Sequence, residues 1–263
     1  MRGYRYVTLD PTGNITALVT DPVDPADESA VTRALLGRSE QVAYLEEPEV
    51  PAAAARIRLM GGEFCGNAAM AAAAWLARGE LRPGEKKQMF LEVSGAAAPV
   101  LCAVRRTENG FEGTVQMPGV PEVTEETLCG VPFTVVRMEG ITHLVCEGRN
   151  YTKDEAESLL SKIAAQLSDD AVGLLQWDPA AGRMLPLVWV RGSRSMVWEH
   201  GCGSGSAAVG AYEALKSGDG VHTVSVRQPG GTILAAADAA GGRIRSVSIT
   251  GEVRIGMAER IFH

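Results

Sequence analysis

Two short segments, about half a chain length apart, constrain this sequence more than anything else in it. The first reads Gly62-Glu63-Phe64-Cys65-Gly66-Asn67-Ala68, and the second Glu199-His200-Gly201-Cys202-Gly203-Ser204-Gly205. Each follows apolar, strand-forming sequence and passes into a stretch rich in small residues, Ala68 to Ala74 in one case and Ser206 to Val209 in the other. A Cys-Gly pair, a short polar residue and a small-residue helix, occurring twice, predict an internal duplication. The expected fold is α+β, in two similar, pseudo-symmetric halves. The halves are expected over 1–120, carrying Cys65, and 121–263, carrying Cys202, with the last strand free to return to the first half. The Pro-, Gly- and acid-rich stretch Gly119–Cys129 reads as the crossover between them.

Between the motifs the patterning predicts many short strands and few helices. Alternating or β-branched runs mark strands at Ile15–Val19, Val42–Leu45, Ile57–Met60, Val100–Val104, Thr114–Met117, Thr134–Arg137, Thr142–Cys146, Leu185–Val190, His222–Val226, Thr232–Ala235 and Ser246–Thr250, and the N-terminus leads straight into another. Asp24-Pro25, early acids and Gly37 bracket a helix. Thr152 with Glu155 forms a capping box that opens a helix running to about Leu167.

Of 263 residues, 46% are hydrophobic and 22% charged, which suits a folded core, and the 5% of aromatics predicts a core of small side chains. A net charge of −7 argues against nucleic-acid partners, since phosphate binding rests on Lys and Arg. No apolar run reaches membrane-spanning length and the N-terminus lacks a signal-peptide pattern, so a cytoplasmic protein is expected. Five cysteines, an odd number, do not read as a disulfide framework. Cys102, Cys129 and Cys146 read as small buried hydrophobes. His143-x-x-Cys146 lacks a second pair at ligand spacing, so no metal site is expected.

Cys65 and Cys202 read differently, because each is placed to begin a helix. A helix N-terminus presents unpaired N–H groups and positive partial charge, which attract a carboxylate and lower the pKa of a nearby thiol. The Gly after each Cys lets a substrate approach the backbone. Two such starts facing one another would hold an α-amino-acid carboxylate with one sulfur on each side of Cα. A thiolate could then remove the α-proton while a thiol returns one to the other face.

On these motifs, together with Pro11-Thr12-Gly13-Asn14, Glu40-Gln41 and Gln228-Pro229-Gly230-Gly231, the chain resembles the diaminopimelate epimerase-like family, which includes proline racemase and cofactor-independent histidine racemase. The resemblance implies a fold in which each half is a curved sheet around a central helix, with the active site in the cleft between the halves. The activity it implies is that of a racemase or epimerase that needs no cofactor, with Cys65 and Cys202 as acid and base. It implies that Asn14 and Gln41 line the substrate site, and that Gly66-Asn67 and Gly203-Ser204 cradle the carboxylate. Glu40 and Glu199 join the substrate-facing set, Glu40 as the side chain that greets a hydrogen-bonding or cationic tail. The chain departs from diaminopimelate epimerase before the second cysteine, where that enzyme has an Arg for a distal carboxylate. Here Glu199-His200-Gly201 abuts Cys202 and offers no Arg. The compact second motif looks most like the histidine racemases of opine-type metallophore pathways, so interconversion of L- and D-histidine is expected. Racemisation of a basic amino acid or of diaminopimelate is the alternative within the class. A non-catalytic amino-acid or metabolite binder on the same scaffold is the alternative outside it. The expected partner is a small amino acid, with room left for a homodimer.

Overall fold

The computed structural model describes residues 2–262. They divide into two compact units, one made of the residues up to Pro118 together with those from Thr250 onward, the other of Gly119–Ile249.

In the first unit the chain runs β1 (Gly3–Pro11), β2 (Thr16–Val19), α1 (Pro25–Leu36), β3 (Gln41–Glu46), β4 (Ala53–Leu59), α2 (Gly66–Ala77), β5 (Lys86–Val93), β6 (Val100–Arg106) and β7 (Phe111–Gln116). Neighbours in sequence are neighbours in the sheet. The chain's last strand, Arg243–Phe262, closes the ring by pairing with both β7 and β1. Parallel pairs occur where a helix intervenes, β2 with β3 across α1 and β4 with β5 across α2. This is the connection that parallel strands require.

The helix α2 packs against strands all round the ring, which explains its composition. Its residues Ala68 to Ala74, alanines except for Met70, are all buried, and a ring of strands leaves little room on a central helix for larger side chains. The surrounding strands yield space where the contact is closest. A Cβ on Gly113 would lie 2.8 Å from Met70 Cβ, and one on Gly251 would lie 3.4 Å from Met70 Sδ. The helix α1 lies outside the ring, where Val31 and Leu35 pack on Tyr6, Val19, Val42 and Tyr44. Its limits are those the sequence predicts: Asp24 caps it, Pro25 begins it and Gly37 ends it.

The second unit repeats the order. It runs β8 (Glu122–Leu128), β9 (Val131–Met138), β10 (Ile141–Glu147), α3 (Lys153–Ala164), β11 (Ala171–Asp178), β12 (Arg183–Val190), β13 (Ser195–Trp198), α4 (Gly203–Ser217), β14 (Gly220–Gln228), β15 (Gly231–Ala240) and the first part of β16 (Arg243–Phe262). Again the parallel pairs flank helices, β10 with β11 across α3 and β12 with β14 across α4. The outer helix α3 packs on Leu144, Cys146, Leu174 and Leu187. The other side of the same sheet packs Val145, Leu175, Trp177, Met184 and Val226 with Ala208 and Val209 of α4. The N-terminus of α2 and that of α4 are therefore topologically equivalent points, the start of the second crossover helix in each unit.

Several expectations need correction. The segment read as a crossover, Gly119–Cys129, begins where the second unit begins, but it is not a loop: it contains β8, an edge strand that pairs along its whole length with β9. Its sequence, Glu-Val-Thr-Glu-Glu-Thr-Leu, is polar because an edge strand has little to bury. The strand β11 escapes an alternation search because helices cover both its faces, so its inner residues are all buried. The strands β5 and β13 were also not expected, and α3 ends at Ala164, short of Leu167. Cys129 is exposed, not buried. It forms the β8–β9 hairpin turn with Gly130, at φ of 51° and 77°, so its side chain projects from a tight turn.

Candidate active site

In the first unit Cys65 occupies the N-cap of α2 with extended backbone, φ −136° and ψ 112°. Its Sγ lies 3.5 Å from the Ala68 N–H, which donates to it. That is the place of a Ser, Thr or Asp oxygen in an ordinary cap. Sulfur is a weak acceptor, so helix stability gives no reason to prefer Cys here.

A buried polar network from β1's end, β2 and β3 backs this sulfur. Gln41 Nε2 donates to Asn14 Oδ1 at 2.6 Å and to Thr16 Oγ1 at 2.8 Å, and lies 3.4 Å from Cys65 Sγ. Asn14 Nδ2 in turn donates to the Glu40 carboxylate at 2.9 Å. The orientation of both amides follows from that carboxylate, which can only accept. Glu40 requires the Asn14 nitrogen, Asn14 then offers its oxygen, and Gln41 must turn its nitrogen toward Asn14 and the thiol. Thr16 spends its own proton on the Asn14 carbonyl, 3.2 Å away, and keeps a lone pair for Gln41. Asn14, Thr16 and Gln41 are all buried. The turn Thr12-Gly13, with positive φ at both residues, brings Asn14 back over the end of β1.

In the second unit Cys202 caps α4 in the same way, φ −103° and ψ 107°, and accepts from the Gly205 N–H at 3.3 Å. A Cβ on Gly205 would lie 3.1 Å from Sγ, so this Gly allows the close approach. The Cys202 backbone is clamped by Gln228. Gln228 Oε1 accepts from the Cys202 N–H at 2.7 Å while its Nε2 donates to Ser206 Oγ at 2.8 Å. Ser206 Oγ donates to the Cys202 carbonyl at 2.8 Å, and the Gly230 N–H donates to the His200 carbonyl at 2.7 Å. The Gln-Pro-Gly-Gly motif is thus a brace for the second Cys-Gly turn, a role its sequence did not disclose. Ser204 Oγ sits 3.6 Å from Cys202 Sγ and 2.9 Å from His143 Nε2.

The structure therefore gathers Asn14, Glu40, Gln41, Cys65, Gly66 and Asn67 at one helix start, and Cys202, Gly203 and Ser204 at the other. Glu199 extends β13, its N–H donating to the Pro186 carbonyl three residues before Cys202. Thr16, Gln228 and His143 are the residues that sequence reasoning did not bring to these sites. His143 is buried completely, and burial drives its pKa down to about 3, so it is neutral. Cys102 and Cys146 are buried in strands as expected, and burial pushes the Cys102 thiol up to about 12. Among the described residues no cluster of three or more His, Cys, Asp or Glu is arranged to hold a metal ion, and no helix is long and apolar enough to cross a membrane.

The sequence profile of the histidine racemase CntK N-terminal domain matches residues 4–262. The chain belongs to that family. It is similar to histidine racemases of Fusobacterium nucleatum subsp. nucleatum and Staphylococcus aureus, each 27% identical over 86% of this chain and covering 86% and 85% of theirs. In fold it is similar to a hydroxyproline epimerase from Agrobacterium vitis solved with trans-4-hydroxy-L-proline bound. That likeness has a TM-score of 0.74 at 14% identity, over 99% of this chain and 92% of the other. As a member of this family the chain is an isomerase of the racemase type.

Proposed function

We propose that this racemase acts on histidine, with Cys65 and Cys202 as a cofactor-independent acid–base pair. The observation that carries the proposal is the shared placement of the two sulfurs. Each stands at the N-cap of the equivalent helix of its unit and faces the N–H three residues on. A hydroxyl would cap at least as well, so the use of Cys at both points calls for chemistry that a hydroxyl cannot do.

In this scheme the substrate carboxylate is held by the Gly66-Asn67 and Gly203-Ser204 turns, where helix dipoles favour an anion. One sulfur, as thiolate, takes the α-proton and becomes a thiol. The other, as thiol, gives its proton to the opposite face of Cα and becomes a thiolate. The roles are exchanged after each turnover, and the reverse reaction uses the same groups. Carbanion charge delocalised into the carboxylate is stabilised by fixed N–H dipoles.

Glu40 supports histidine as the substrate. Its carboxylate is tied by Asn14 to the network behind Cys65 and can accept from an imidazole N–H. The relatives at 27% identity carry the same substrate in their names. A lysine or arginine tail would also suit Glu40, and these are the substrates to test beside histidine.

Purified protein incubated in heavy water with each L-amino acid, followed by chiral chromatography and mass spectrometry, tests the proposal. D-histidine carrying one α-deuterium is the expected product, with little turnover of lysine, arginine or diaminopimelate. Cys65→Ser and Cys202→Ser should each abolish inversion. A different preferred amino acid would refute the substrate, and a single serine variant of near wild-type rate would refute the two-thiol scheme.

A further inference from the structure

The second unit answers with different residues a demand that the first meets with Gln41. In the first unit Thr16 and Gln41 are paired on the parallel strands β2 and β3, and the long Gln41 side chain reaches from β3 to the cysteine. In the second unit the corresponding strands β10 and β11 pair His143 with Gly173. Here the long side chain comes from β10, and β11 contributes none. The exchange is enforced sterically, because a Cβ on Gly173 would lie 2.2 Å from His143 Nδ1. The ring of His143 fills the space that a side chain on β11 would need, and it ends on Ser204 Oγ, 2.9 Å away.

We infer that His143 is a positioning residue that fixes the Ser204 hydroxyl as a hydrogen-bond donor toward Cys202 Sγ. The inference rests on the reading of Cys202 as one of the acid–base pair. The direction of the bonds follows from the ring's surroundings. His143 Nδ1 is buried with no hydrogen-bond partner among the described residues. A buried N–H without an acceptor is much rarer than an unfilled lone pair. The hydrogen-bond network therefore assigns the ring proton to Nε2, which donates to Ser204 Oγ. Having accepted there, Ser204 directs its own proton away from the ring, and Cys202 Sγ lies within reach at 3.6 Å. A Cys202 thiolate then accepts from both Ser204 O–H and Gly205 N–H. The neutral state of the ring is what the relay needs, since an imidazolium would require a second acceptor that Nδ1 does not have.

A double-mutant cycle on thiol reactivity tests this without any substrate. The rate of Cys202 carbamidomethylation by iodoacetamide is followed by peptide mass spectrometry in the wild type, His143→Leu, His143→Gln, Ser204→Ala and the His143→Leu/Ser204→Ala double variant. Folding of each is verified by circular dichroism, and His143→Asn, whose amide is too short to reach Ser204, replaces His143→Leu if that variant does not fold. His143→Leu and Ser204→Ala should each slow the reaction about tenfold, as expected for loss of one hydrogen bond to a charged group. The double variant should be no slower than the slower single one, because His143 acts only through Ser204. His143→Gln, whose amide N–H can replace Nε2–H, should restore most of the rate. Multiplying effects in the double variant, or an unchanged rate in either single one, would overturn the inference. The reading holds or fails whichever amino acid the enzyme inverts.

Discussion

Replacing Gln41 by Leu tests the buried network behind Cys65, because it preserves volume and removes only the amide. Asn14 Oδ1 then loses the N–H now 2.6 Å away and keeps only the long contact of the Cys65 thiol, 4.0 Å away, in a buried residue. An unsatisfied buried acceptor costs about 1–3 kcal/mol. Thr16 is hurt less, since its hydroxyl keeps the Asn14 carbonyl. Taking about 2 kcal/mol and a shift of about 2–4 °C per kcal/mol for a chain of this size, the melting temperature should fall by roughly 4–8 °C. A second, separate effect falls on the reaction. The Gln41 amide shares its two hydrogens among Asn14, Thr16 and Cys65 Sγ, so its loss takes only part of a hydrogen bond from a thiolate, about 1 kcal/mol or roughly fivefold in kcat/KM. Differential scanning calorimetry measures the first effect, and α-deuterium exchange from histidine the second. Adding Asn14→Leu should recover part of the melting temperature, because an apolar pair leaves no orphaned acceptor between the two positions, while the rate stays low. If Gln41→Leu melts within about a degree of wild type and exchanges deuterium at the wild-type rate, the network has neither the structural nor the chemical role assigned to it.

Three further outcomes follow from the geometry. Iodoacetamide on the native protein should label the exposed Cys129 and spare Cys102, buried with its thiol pushed up to about 12; peptide mapping before and after denaturation reads this directly, and Cys129→Ser should leave activity intact. His143, whose native pKa lies far below its unfolded value of about 6.5, contributes stability that is complete above that value and is lost as pH falls toward 3. At pH 5 that loss is about 2 kcal/mol, so the acid limb of a urea-denaturation series should be shallower in His143→Gln by about this amount; identical limbs would refute the buried neutral ring. Gly113→Ala should destabilise the first unit by about 1–3 kcal/mol, because the new methyl would lie 2.8 Å from Met70 Cβ, whereas Gly79→Ala, with nothing within 4 Å, should be nearly neutral by the same thermal assay.

What the sequence disclosed, and what it withheld, divides along the range of the interactions involved. The two helix starts were legible because capping is local: Cys65 and Cys202 meet the N–H groups of Ala68 and Gly205, three residues on. The same holds for α1 and for the Thr152–Glu155 capping box of α3. The strand β11 was illegible because its burial on both faces is produced by α3 and α4, which no local pattern in Ala-Val-Gly-Leu-Leu-Gln-Trp-Asp can announce. The supporting residues failed to appear for a related reason. His143 stands in an apolar strand 61 positions from Ser204, and Gln228 lies 26 positions from Cys202, so each acquires its role only when the sheet is assembled. His143 had a visible partner in Cys146, at a spacing that invites a metal reading, yet successive odd and even positions on β10 point to opposite faces. Cys146 packs among the side chains around α3, while the His143 ring reaches the start of α4. The alternation of a strand was enough to separate them, and applied to Thr142–Cys146 it excludes a joint metal site from the sequence alone. What it could not supply is the missing side chain at Gly173, which turns an apparently featureless Val-Gly-Leu into the space that lets a buried histidine reach the second cysteine turn.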